Sequence, residues 1–137
     1  MVHASEKTIL IVDDELDIRE YLSLCMTDVG FKVETAEDGL VALEKVEKHI
    51  PDFILLDLKM PKMSGVRVFR RLRKNPDWKH IPVIIISGHI GNEYGEKSTK
   101  DLIADAAGNL PHCIFDKPVK PEKLVQAVAS VLNVETD

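Results

Sequence analysis

The chain has 137 residues, enough for one domain with a sizeable core. Hydrophobic residues make up 45% and charged residues 30%, the composition of a folded globular protein and not of a disordered one. Eighteen basic against twenty-three acidic residues leave a net charge of -5, which disfavours nonspecific binding to nucleic acid or to anionic membranes.

The start, "MVHASEK", has no basic stretch leading into an apolar core, so no secretory leader is expected. "TILIV" (8–12) then reads as a strand apolar on both faces, and Asp13-Asp14 ends it. From Glu15 the apolar residues recur at helical spacing, with Ile18, Tyr21, Leu22, Cys25 and Val29 as the expected buried stripe. Gly30 closes that helix as a C-cap. "FKVET" (31–35) is a second strand, and Leu40, Leu43, Val46 and Ile50 mark a second helix.

"FILLD" (53–57) is again apolar on both faces but ends in a carboxylate, Asp57. Val66, Phe69 and Leu72 mark a third helix. The basic run Arg67, Arg70, Arg71, Arg73 and Lys74 on the same segment reads as a solvated face. "PVIIIS" (82–87) is a fourth strand, ending in Ser87. The glycine-rich "GHIGNEYGEK" after it predicts a loose loop to about Ser98. A short helix through "TKDLIADAA" follows, with Ser98 and Asp101 at capping-box spacing and Gly108 closing it. "HCIFD" (112–116) is a weaker fifth strand, followed at once by Lys117. The last helix starts at Pro121 and carries Leu124, Val128, Val131 and Leu132. Cys25 and Cys113 lie far apart in apolar surroundings and read as reduced thiols of a cytoplasmic protein. No apolar run is long enough to span a membrane.

Strand and helix alternate five times, which predicts an α/β fold: a doubly wound, five-stranded parallel sheet with helices on both faces. The flavodoxin-like order 2-1-3-4-5 is the common solution for such a chain, and residues 1–137 are expected to form a single domain. In that order, ligands sit at the carboxyl ends of the strands where the winding reverses, between the first and third strands. Asp13, Asp14 and Asp57 therefore converge on one crevice. Carboxylates about 4 Å apart repel by about 4 kcal/mol at an effective dielectric of about 20. Protons or a cation must relieve that repulsion. An all-oxygen set open to water suits Mg²⁺, which favours phosphate partners.

Taken singly, acids at strand ends commonly cap helices or make turns. Here Ser87 and Lys117 end two further strands on the same rim, giving a hydroxyl and an ammonium opposite the acids. Such a set can cradle a transferred phosphoryl group, with Asp57 as nucleophile forming an acyl phosphate.

"ILIVDDE", "FILLDLKMPKMSG", "VIIISG" and "DKPVKPEKL" together resemble the receiver domain of two-component response regulators, over residues 7 to about 133. The resemblance implies that Asp57 accepts a phosphoryl group from a phosphohistidine on a histidine kinase or phosphotransfer protein. It implies that Asp14 and Asp57 bind Mg²⁺ with the backbone carbonyl of Lys59, while Asp13 acts mainly through water. Ser87 takes the switch hydroxyl position, and Lys117 binds the phosphoryl group, with its bond to Pro118 in the cis form. Met60-Pro61 and Ser64-Gly65 resemble the family's turn into the third helix. Such a domain catalyses its own phosphorylation and slow dephosphorylation but acts as a switch toward an output domain or target protein. It binds neither nucleic acid nor membrane directly, and the face of helix four, strand five and helix five is where relatives dimerise.

Two departures stand out. The family's aromatic three positions before the lysine is replaced by Ile114, and Phe115, its neighbour, points to the opposite sheet face. The long segment after Ser87 is expected to carry the switch in its place, and His89, Glu15 and Lys59 are candidates to tune hydrolysis. An alternative reading is a pseudo-receiver, an interaction module not regulated by phosphorylation. A haloacid-dehalogenase-like phosphatase would need Asp-x-Asp after the first strand, and a flavin carrier would need a hydroxyl-rich phosphate loop there. The sequence has neither.

Overall fold

The computed structural model describes residues 2–58, 60, 62–87, 113–116 and 120–135, with backbone alone at 87, 113, 114, 116 and 135. The expected 88–98 loop, the short helix after it, Lys59, His89, Lys117 and the Lys117–Pro118 bond lie outside the described residues.

The apolar runs form one sheet from β2 (Thr8–Val12), β3 (Lys32–Ala36), β4 (Phe53–Asp57), β5 (Val83–Ser87) and β6 (Cys113–Asp116). Its order is β3-β2-β4-β5-β6, and each neighbouring pair is parallel. Counted from β2, that is the expected order 2-1-3-4-5. The periodic segments are α1 (Leu16–Asp28), α2 (Gly39–Lys48), α3 (Gly65–Lys74) and α4 (Pro121–Leu132).

Strand periodicity divides the core in two. Ile9, Ile11, Phe53, Leu55, Ile84 and Ile86 face α1 and α4, packing on Leu22, Met26, Leu124 and Val128. Leu10, Val12, Ile54, Leu56, Val83 and Ile85 face α2 and α3, packing on Ala42, Val46, Phe69 and Leu72. Both faces of β2, β4 and β5 are thus covered, which is why these runs lack polar alternation. Each Ile or Leu so buried contributes about 2 kcal/mol. Phe115 is half-buried and packs against the α1/α4 cluster.

Local chemistry sets the helix ends. Gly30 has φ 106°, and after it Phe31 N–H donates to Met26 O at 3.1 Å while Gly30 N–H donates to Thr27 O at 3.0 Å. This is the left-handed closure the glycine predicted, with Phe31 and Met26 buried together behind it. Asp38 and Ser64 cap α2 and α3 through side-chain oxygens that accept from Val41 N–H at 2.9 Å and Arg67 N–H at 3.4 Å.

Four sequence expectations need correction. Tyr21 is 43% exposed because the α1 stripe centres on Leu22 and Met26, leaving Tyr21 at its edge. Leu40 is 47% exposed, since Gly39, one residue earlier, takes the inward position on α2. Ile50 is 55% exposed, because α2 ends at Lys48 and His49 is already extended, so the helical period no longer applies. Arg73, read as solvated, is buried. Its Nη1 donates to Ile81 O at 2.9 Å and Lys79 O at 3.3 Å, and its guanidinium lies 4.8 Å from the Phe69 ring centre.

A feature outside the expected elements is a two-residue parallel pairing of β1 (Val2–His3) with β7 (Val134–Glu135). Asn133, in the left-handed region at φ 52°, turns the chain out of α4 toward it. Two-residue strands have no period to read.

Candidate functional site

The site stands at the carboxyl ends of β2 and β4. These strands are parallel neighbours with Val12 opposite Leu56, so the next residue on each is Asp13 and Asp57. One carboxylate oxygen from each of Asp13, Asp14 and Asp57 lies within 4.8 Å of the others. Asp13 and Asp57 are buried, at 1% and 4% exposure, while Asp14 is open to solvent. The cluster therefore has an enclosed floor and a wet mouth.

Asp13 is held on all sides. Its N–H donates to Ala36 O at 3.1 Å, extending the β2–β3 ladder one step past the strand. Its carbonyl accepts from Arg19 Nη1 at 2.9 Å, and its Oδ1 accepts from Glu15 N–H at 3.0 Å. Asp13 is thus a turn residue and a member of the cluster together, and α1 is fastened to it from its first turn.

The loop after Asp57 is clamped by two glycines. A Cβ on Gly65 would come within 2.1 Å of Asp57 O and 2.6 Å of Leu58 Cα. Gly65 N–H also donates to Leu58 O at 2.8 Å, so the start of α3 rests directly on the backbone that carries Asp57. From the other side, a Cβ on Gly39 would meet Met63 O at 2.7 Å. Lys62 lies in the left-handed region at φ 66°, and its Nζ reaches Asp38 Oδ2 at 3.5 Å. Asp38 is buried and caps α2. The hydrogen bond from Val41 N–H, with help from the Lys62 charge, holds its carboxyl below the usual carboxylate range against the opposing effect of burial.

The structure brings Asp13, Asp14 and Asp57 together as the sequence predicted. It sets Ser87 on the same rim by its backbone, one residue beyond Ile86, the register partner of Asp57. Glu15 is exposed at the N-cap of α1 beside the mouth. Sequence reasoning missed Arg19, Asp38, Gly39 and Lys62. Asp38-Gly39 ahead of an apolar helical run is a cap signal that was available, whereas the Lys62 pairing needed the tertiary fold.

Response regulator receiver domain is the description of the family model that matches residues 9–129. The chain is 33% identical to the response regulator MprA of Mycobacterium leprae over 91% of its length, covering 50% of that protein. Among solved structures, it is similar to the chemotaxis protein CheY4 of Vibrio cholerae, with 31% identity and TM-score 0.77, covering 91% of this chain and 98% of that one. It is also similar to a CheY-like response regulator receiver domain protein of Methanospirillum hungatei, with 25% identity and TM-score 0.80, covering 93% and 94% of the two chains. The chain spans about half the length of the first curated relatives it matches.

Proposed function

The chain belongs to the response regulator receiver family of two-component signal transduction, and we propose that Asp57 is its phosphoacceptor. The observation that carries this reading is the meeting of Asp13, Asp14 and Asp57 within 4.8 Å at the carboxyl rim. Two ionised carboxylates at that spacing repel by about 3 kcal/mol at an effective dielectric of about 20, less where Asp14 meets solvent. An all-oxygen set, part buried and part wet, fits Mg²⁺. Asp14 and Asp57 would hold the ion with the Lys59 carbonyl, and Asp13 would act through water. When bound, the ion supplies charge neutralisation to the incoming phosphoryl oxygens.

Asp57 acts as nucleophile. One of its oxygens forms the bond to phosphorus as the bond from phosphorus to the donor imidazole nitrogen breaks. Burial of the side chain and the packing of Gly65 on the Asp57 backbone restrict where that carboxylate sits, which lowers the cost of reaching an attacking geometry. Ser87 donates a hydrogen bond to one phosphoryl oxygen and Lys117 neutralises another. The donor is a histidine kinase or phosphotransfer protein, and the state of Asp57 governs an output domain or target protein. Residues 1–137 act as one receiver domain in the cytoplasm, and the helix–strand–helix face around β6 is the proposed dimer surface. Among the described residues no helix is long and apolar enough to cross a membrane. Phe115 packs half-buried against the α1/α4 cluster and Ile114 stands at the aromatic's position, so the segment after Ser87 carries the response instead of an aromatic on β6.

Incubation with acetyl phosphate and Mg²⁺, read by intact mass, tests this. We expect a gain of one phosphoryl group in the wild type, and none without Mg²⁺ or in Asp57→Asn. Unchanged mass under all conditions favours the pseudo-receiver reading.

A further inference from the structure

The site leaves unused the four cations that α3 turns outward, Arg67, Arg70, Arg71 and Lys74. With Pro76 and Trp78 they line a groove of about 660 Å³. Arg67 and Arg71 are four residues apart, as are Arg70 and Lys74, so each pair sets like charges together on one helical face and disfavours the helix. The helix dipole accounts for Arg71 and Lys74 in the last turn. It opposes Arg67, the third residue of α3. Among the described residues the ion pairs are Lys7–Asp52 and Lys62–Asp38, so no carboxylate there neutralises any of the four. The cluster works against its own helix, and holding the fold does not explain it.

The chemistry of the groove selects an occupant. Three of the four cations are arginines, whose planar forks match carboxylates two bonds at a time. Arg70 is half-buried, with Nε enclosed and lacking an acceptor, so less freedom is lost when its remaining N–H groups engage a ligand. The net charge of -5 repels an extended polyanion, which disfavours nucleic acid and anionic membrane. Trp78 and Pro76 add an apolar wall. We propose that the groove lined by Arg67, Arg70, Arg71, Lys74 and Trp78 docks a short acidic protein segment, with carboxylates flanking an apolar side chain.

Trp78 is the only tryptophan in the chain, so its fluorescence reads the groove directly. The whole chain is titrated with a synthetic acetylated peptide of repeating Glu-Glu-Leu, with a Lys-Lys-Leu peptide, with oligo-dT, and with phosphatidylglycerol vesicles. A saturable change with the acidic peptide is expected, with each of the other three weaker by at least about tenfold. Arg67→Glu/Arg71→Glu, at two exposed positions and checked for folding by circular dichroism, should weaken the peptide by at least about tenfold. Arg70→Lys, which keeps the charge and loses the fork, should weaken it severalfold. No saturable change, wild-type affinity in either variant, or equal or tighter binding of the oligonucleotide or vesicles overturns the proposal.

Discussion

Gly65 shows how much of the site rests on one missing side chain. An added Cβ would fall 2.1 Å from Asp57 O, a backbone atom that cannot move without carrying the carboxylate with it. Gly65→Ala should therefore destabilise the fold by about 1–3 kcal/mol by overpacking. It should also slow acetyl phosphate labelling well beyond what the lost stability explains, measured under conditions where the variant is fully folded. Asp38 makes a separate prediction. Its folded carboxyl titrates below the usual range, so the stability it adds is present above the unfolded carboxylate pKa and lost as pH falls through the folded one. Denaturation midpoints of wild type and Asp38→Asn measured from neutral pH to pH ~3 should converge as the acid end is approached, because the variant has no carboxylate there to protonate. A constant gap across that range would contradict the role of the Asp38 charge. Neither Gly65 nor Asp38 stands out in the sequence as a site residue. Ser64-Gly65 was readable as a turn into a helix, but the approach of Gly65 to the Asp57 backbone needs three dimensions.

At the scale of elements, β2, β4 and β5 were legible because parallel strands covered on both faces leave uninterrupted apolar runs. Helix α4 was legible from Pro121 in its first turn. The misreadings arose where a single-period rule met a local exception. Leu40 yielded to Gly39, Ile50 fell past the helix end, and Arg73 turned out to be structural. That arginine ties the end of α3 to the connection into β5 by donating to Lys79 O and Ile81 O. Arg73→Ala would leave both carbonyls without this donor and uncover the Phe69 ring, so a loss of about 2–3 kcal/mol is expected in urea unfolding. Arg73→Lys should recover only part of it, since an ammonium can replace the Nη1 donor but not the guanidinium plane beside the Phe69 ring. A loss within about 0.5 kcal/mol for Arg73→Ala would mean that the arginine is solvated in solution after all.

Over the whole molecule, the winding of the sheet builds the site. Asp13-Asp14 and Asp57 are distant in sequence, yet the order β3-β2-β4-β5-β6 makes their strands neighbours and the register brings Asp13 level with Asp57. That juxtaposition is legible in the sequence, because alternating strands and helices admit few topologies and ligands gather where the winding reverses. What the sequence did not disclose was the pairing of β1 with β7, which joins the two ends of the described chain through four residues without periodicity. The most direct test of the account is borohydride reduction of the acetyl phosphate-treated protein, followed by peptide mapping. An aspartyl phosphate is reduced to homoserine, so the position of homoserine reports the phosphorylated carboxylate. Homoserine at position 57 alone, dependent on Mg²⁺ and absent in Asp14→Asn, is the predicted result. Homoserine at another aspartate, or at position 57 in equal amount without Mg²⁺, would contradict it.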